Sequence, residues 1–305
     1  MTLTALSRGP IKKPIRVLLY APEGLGKSTF ASNAPNPIFI GPEDGTAQLD
    51  VVRFPQPETW EDIREAVATL IRDEHDFKTF VIDTVDWAEP LLWKSLCLAA
   101  GVTSIEDLGG GFGKGYVAAL DSWRALLSDL ERLREKKGMH IVMLAHSWVR
   151  PFHSPDLSTY DRYELKLHQR ASGLLKEWCD AVLFGNYETF TDKDQRTKRI
   201  KGVSTGGRLV FSVRTAAFDA KNRYGLPERM PLDWGDFYAA VQAHKPADVQ
   251  TMVEIIKTNA DALGGELKGQ TLELLAKAGG DAEKVSKLMT WTNTKLGLKA
   301  EKETT

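Results

Sequence analysis

Apolar and polar positions along the chain repeat in one order: a short run of strongly apolar residues, then a longer stretch with helical spacing, five times over. The apolar runs are IRVLLYA at 15–21, PIFIG at 37–41, KTFVIDT at 78–84, HIVMLAH at 140–146 and DAVLFGNYE at 180–188. Helix-like segments follow at about 27–33, 57–72, 85–100, 115–136 and 165–178. Apolar runs of this length read as strands covered on both faces, and their alternation with helices predicts an α/β fold around a mostly parallel central sheet. Past residue 188, KRIKGVSTGGRLVFSVRT alternates apolar and polar residues about Gly206 and Gly207, which predicts an added β-hairpin. Helical periodicity returns near 234. From about Pro246, short amphipathic segments separated by Gly264-Gly265 and Gly279-Gly280 lead to a charged tail. The pattern divides the chain into a core over 1–245 and a small helical C-terminal region over 246–305, with no internal repeat of solenoid length.

Composition narrows the function. With 40 Lys and Arg against 41 Asp and Glu, the net charge of −1 argues against a strongly basic nucleic-acid coat protein or a polybasic membrane binder. Cys97 and Cys179 stand alone in sequence, so neither a disulfide framework nor a zinc site is expected. No stretch reaches the ~20 apolar residues of a membrane span, and the opening MTLTALSRGPIKKP lacks the apolar run of a signal peptide. The expectation is a cytoplasmic protein with no membrane partner. The charge is unevenly placed: residues 41–76 hold ten acids and three bases, and residues 193–229 hold ten bases and three acids. These are either two solvated faces or complementary faces of a head-to-tail assembly.

The most specific motif is APEGLGKS, Ala21 to Ser28, between an apolar strand and a helical run. It fits the phosphate-loop pattern G-x-x-x-x-G-K-[ST], with Ala21 in the first glycine position. Gly24 and Gly26 allow backbone N–H groups to curl around phosphate oxygens, at the positive end of a helix dipole. Lys27 is then expected to bridge the β and γ phosphates and Ser28 to ligate Mg²⁺, with Glu23, Leu25 and Thr29 completing the ATP-contacting span. A second glycine-rich stretch, GGGFGKG at 109–115, lacks a Ser or Thr after Lys114 and a preceding strand. It reads as a mobile loop or, through Phe112 and Lys114, as a DNA contact.

Three polar residues end apolar strands. Asp83, closing KTFVIDT, is placed to hold Mg²⁺, while Thr84 or Asp86 could cap the next helix. Glu43, two residues past PIFIG, is the candidate general base for water, with Asp44 as rival. His146, closing HIVMLAH, is the candidate γ-phosphate sensor, read against a purely structural histidine. The segment 147–169 mixes aromatics and bases, among them Trp148, Arg150, Phe152, Tyr160 and Arg162, with acids including Asp156. It suits single-stranded nucleic acid, or a lid or interface loop.

Together, APEGLGKSTFA, FIGPEDGT, KTFVIDTVDW, FGKGY, IVMLAHS and AKNRYGLP resemble the RecA-type ATPase core, especially the compact RecA-like ATP-binding proteins of phages, some of which are single-strand annealing proteins. In related ring helicases a Lys-x-Arg followed by Gly and Pro supplies cations to the ATP of the neighbouring subunit, and Lys221 and Arg223 match that pattern. The resemblance spans roughly residues 14–240. It implies a RecA-like P-loop fold, an Mg²⁺-dependent ATPase, and a homo-oligomeric ring or helical filament with ATP at subunit interfaces. It also implies single-stranded DNA as partner, a single-strand DNA-binding protein as a further candidate, and phage-type recombination or strand annealing. Little chain precedes the first strand, which weighs against strand exchange. A ring helicase or other DNA motor, and an ATP-gated ssDNA-binding scaffold with slow hydrolysis, share the same motifs.

Overall fold

A computed structural model describes residues 13–43, 45–153, 158–193, 200–243 and 249–296. Asp44, Asp156, the linker at Pro246 and the charged tail lie outside the described residues. Strand β1 (Arg16–Ala21) lies at the centre of the sheet, between β5 (His140–Phe152) and β7 (Ala181–Lys193). Beyond β5 come β4 (Thr79–Asp83), β2 (Pro37–Ile40) and the short β3 (Val52–Arg53), all parallel to β1.

The central strands are buried on both faces, which is why they read as continuous apolar runs. Leu18 and Tyr20 of β1 pack to one side, with Trp60, Ile63 and Leu70 of α2 (Trp60–Arg72), Leu92 of α3 (Val85–Ala100), Trp123 and Leu130 of α4 (Lys114–Lys137) and Leu175 of α5 (Gln169–Trp178). Val17 and Leu19 pack to the other side, with Phe30 of α1 (Lys27–Ser32) and Trp234 and Phe237 of α6 (Trp234–Ala243). Helix α2 starts where Thr59 and Asp62 exchange the two hydrogen bonds of a capping box.

Two expectations change. The segment after His146 is no loop: β5 runs on to Phe152 and pairs antiparallel with β6 (Tyr160–Leu165). The added antiparallel hairpin is present as β7 and β8 (Ile200–Phe211), but Gly206-Gly207 do not make its turn: they lie inside β8, which also pairs antiparallel with β10 (Arg229–Pro231). The glycines lie in a bulge: between the pairs Tyr187↔Arg208 and Thr189↔Ser204, residues 205–207 stand opposite Glu188 alone. Local alternation and a glycine pair look the same in a turn and in a bulge, and only strand pairing distinguishes them. The two-residue β9 (Lys221–Asn222) pairs with the start of β7.

The chain divides into two compact units after residue 244. The second contains α7 (Val249–Leu263), α8 (Gly265–Ala278) and α9 (Ala282–Lys295) around its own small core of Met252, Ile256, Ala278, Val285 and Leu288. Within it, buried Asn259 donates to Thr292 and Asn293, which ties α7 to α9.

Candidate functional site: the carboxyl edge of the sheet

The parallel register brings the ends of four strands to one edge: Ala21 stands beside His146, Asp83 beside Leu144, and Ile40 beside Ile82. In α/β sheets this carboxyl edge is where ligands bind. The turn from β1 into α1 reaches φ 72° at Gly24 and φ 105° at Gly26, a left-handed backbone that suits residues without a Cβ. Leu25 between them is fully buried and anchors the turn.

Lys27 is buried, and its Nζ donates to the carbonyls of Pro22 (3.2 Å) and Ala21 (3.5 Å). Desolvation lowers its pKa, against the pull of Asp83, Asp86, Glu43 and Glu23. The Ser28 hydroxyl donates to Asp83 Oδ2 at 2.6 Å. Burial raises the Asp83 pKa, the bond from Ser28 opposes this, and the negative charge of Glu43 adds to the rise. The Asp83–Thr84 peptide is cis. Gly41 lets β2 approach here, since a Cβ on it would fall on the Asp83 carbonyl oxygen. A small pocket lined by Gly41, Glu43, Arg53 and Asp83 opens beside these groups. Glu23 and Thr29 flank the turn, Glu23 exposed and 3.9 Å from Lys166.

His146 and Glu43 come together, with Nε2 3.9 Å from the Glu43 carboxylate. The other side of the histidine is fixed by Asp86, a buried carboxylate that the sequence offered only as a helix cap. Asp86 accepts from the His146 backbone N–H and from Nδ1, each at 2.9 Å. Burial pushes Asp86 up, and these two bonds with the histidine charge outweigh it, holding the acid below the usual carboxylate range. An ionised Asp86 can only accept, so Nδ1 carries the proton and Nε2 faces Glu43.

One turn along α3, Glu89 accepts from the His168 backbone N–H at 2.9 Å. Burial pushes Glu89 up to about 7. His168 in turn stacks on Tyr116 of α4, centroids 4.0 Å apart. Two acids three residues apart on one helix therefore hold the residues that enter and leave the β5–β6 hairpin. The signal in the sequence was an Asp-x-x-Glu pair in the otherwise apolar VDWAEPLLW.

The hairpin carries cations over rings. Arg150 lies over Trp148 (4.6 Å), Arg162 over Phe152 (4.8 Å), and Phe152 packs against Tyr160. The glycine-rich stretch 109–115 runs into the first turn of α4, with Phe112 fully exposed and the Lys114 ammonium on the Gly109 carbonyl.

Lys221 and Arg223 lie elsewhere, at the opposite, amino edge. Lys221 donates to the carbonyls of Lys176, Glu177 and Cys179, capping the C-terminus of α5. Its three donors are thus engaged inside its own chain, a placement that sequence spacing does not reveal. Arg223 pairs with Asp180 at 3.3 Å and remains more than half exposed.

A glycine turn that delivers a buried lysine, with a serine bound to the aspartate of a neighbouring parallel strand, defines a P-loop ATPase. Oxygen ligands suit Mg²⁺, and the excess of buried carboxylate over cation at this edge is what a divalent ion relieves. Among the described residues no group of three His, Cys, Asp or Glu could hold a metal. The chain belongs to the AAA domain family, which it matches over residues 13–224. No curated protein matches it. The crystal structure of the RadB recombinase is similar over 69% of this chain and 91% of its own, at 13% identity and a TM-score of 0.36, too loose an overlap to transfer anything. No helix among the described residues is long and apolar enough to cross a membrane.

Proposed function

We propose that the protein is a RecA-like, Mg²⁺-dependent ATPase that assembles on single-stranded DNA in the cytoplasm and promotes recombination or strand annealing of the phage type. The observation that carries this reading is the continuous path from the nucleotide edge to the hairpin: Glu43, His146 and Asp86 in contact, with His146 as the last residue before the aromatic and basic ladder.

In this mechanism the backbone N–H groups of residues 24–28 and Lys27 bind the triphosphate, and bound ATP draws Lys27 from the carbonyls it now caps. Ser28 and Asp83 would hold Mg²⁺, which when bound neutralises phosphate charge. Glu43 takes the proton of the attacking water, and its contact with His146 changes as the γ phosphate is lost. His146 shares its backbone with the hairpin, and its carbonyl accepts from Lys166 N at 2.9 Å, so its displacement moves the base of both strands. Arg150 and Phe152 of the hairpin, and Phe112 and Lys114 at the start of α4, offer bases a stacking surface and phosphates a cation. Arg223, exposed on the amino edge, reaches ATP only from a second subunit in a ring or filament. Lys221 is committed to α5, so the cation acting in trans is Arg223 alone. A single-strand DNA-binding protein is a further partner of this assembly.

The test is ATP hydrolysis with and without single-stranded DNA at assembling protein concentration, for wild type, Lys27→Ala and Arg223→Ala. Stimulation by DNA that both substitutions abolish supports the reading. Turnover indifferent to DNA and to Arg223→Ala overturns it.

A further inference from the structure

The sequence assigned no role to Arg208 or Tyr187, yet the fold sets both against the phosphate loop. They are direct cross-strand partners on β7 and β8, so both side chains emerge on one face of that ribbon. The Tyr187 hydroxyl donates to the Gly24 carbonyl at 3.2 Å. The Arg208 guanidinium lies on Gly26, with Nη1 2.8 Å from where a Cβ on that glycine would stand. Two residues back along β7, on the same face, Gly185 brings the strand down on the loop: a Cβ there would meet Leu25 at 2.6 Å and Ala21 at 3.0 Å. The bulge opposite Glu188 follows directly on this rung and re-aims the ribbon at that point.

Arg208 is exposed, and none of the ion pairs among the described residues includes it. A guanidinium held against the second glycine of a phosphate loop, with no acid of its own, is a cation that lacks its anion. We infer that Arg208 is a same-chain phosphate-binding residue that contacts the β phosphate of a nucleoside di- or triphosphate, and that Tyr187 is the positioning residue that holds the loop beneath it. The inference rests on the P-loop reading of residues 21–28. It separates two cations by origin: Arg208 acts within each subunit on binding, whereas Arg223 requires a neighbour.

The experiment is calorimetric titration of ADP and of a non-hydrolysable ATP analogue into wild type, Arg208→Ala, Arg208→Lys and Lys27→Ala, at protein concentrations below and above assembly, with melting temperature recorded for each unliganded protein. Arg208→Ala is expected to weaken both nucleotides about 10-fold or more, by the same factor at both concentrations, with Arg208→Lys in between. Unchanged or tighter binding by Arg208→Ala overturns the inference, as does a loss confined to the assembled protein. If Arg208→Ala melts early, Arg208→Lys with wild-type affinity overturns it equally. If Lys27→Ala binds as tightly as wild type, the P-loop reading itself fails. If Lys27→Ala loses binding while Arg208→Ala does not, only the role of Arg208 falls.

Discussion

The two edges of the central sheet both concentrate charge, and they treat it in opposite ways. At the amino edge Asp180 accepts two bonds from Arg16, at 2.9 and 2.7 Å, and one from the Tyr224 hydroxyl, with Arg134 and Arg223 close by. Burial pushes Asp180 up, and the Arg16 bonds and surrounding cations outweigh it and hold the acid below the usual range. Lys221 is likewise fully bonded. Asp180, Arg16 and Arg134 are thus engaged before any ligand arrives, while Arg223 keeps more than half of its surface in solvent. At the carboxyl edge, burial pushes Asp83 and Glu89 toward the protonated form and Lys27 toward the neutral one. Perturbed acids and bases cluster where ligands bind, and here the raised carboxyls and the lowered lysine lie at the carboxyl edge.

Substitutions on each edge test this contrast. The largest expected effect is Asp83→Ala, which lowers ATP turnover by about 10³-fold with a melting temperature at or above wild type, because it removes a carboxylate that the native state holds at a disadvantage. A melting temperature well below wild type would place Asp83 with the structural charges. Asp180→Ala, its counterpart, leaves Arg16 and Arg134 without their acid and is expected to destabilise the protein by about 3 kcal/mol, read by urea unfolding, while the folded fraction binds ATP normally. A stability change below about 1 kcal/mol would mean that the network is a surface one.

Glu89→Gln is smaller and depends on pH. A carboxyl held near 7 when folded, against 4.5 when free, opposes folding increasingly as pH rises from the lower value to the higher. The Gln variant, which can still accept from His168, is therefore expected to be more stable than wild type by about 3 kcal/mol above pH 7 and equal to it near pH 4. A gap in melting temperature that stays constant over that range would exclude a raised pKa. The smallest effect is Arg150→Ala, which removes the cation from Trp148 and is expected to weaken single-stranded DNA binding about 5-fold with ATP binding unchanged. Equal affinity at low salt would take the hairpin out of the DNA interface.

The amino-acid sequence alone determined the α/β alternation and the positions of the five core strands, because strands buried on both faces must be apolar throughout. It also located Lys27, Ser28 and Asp83, since a phosphate loop depends on glycine at fixed offsets and on a polar residue at a strand end. Tertiary structure decided the rest. Glu43 and His146, a hundred residues apart, meet because β2 and β5 flank β4. Asp86 became the partner of His146 through a helix position that a capping residue would equally occupy. Lys221 and Arg223, two residues apart in one motif, meet different surroundings because the pairing of β9 with β7 carries Lys221 to the end of α5 while Arg223 stays more than half exposed. Arg208 has no motif at all, and its place on Gly26 follows from the register of two antiparallel strands and a bulge. Local patterns encode what each segment must bury, and long-range register fixes which polar groups then face one another.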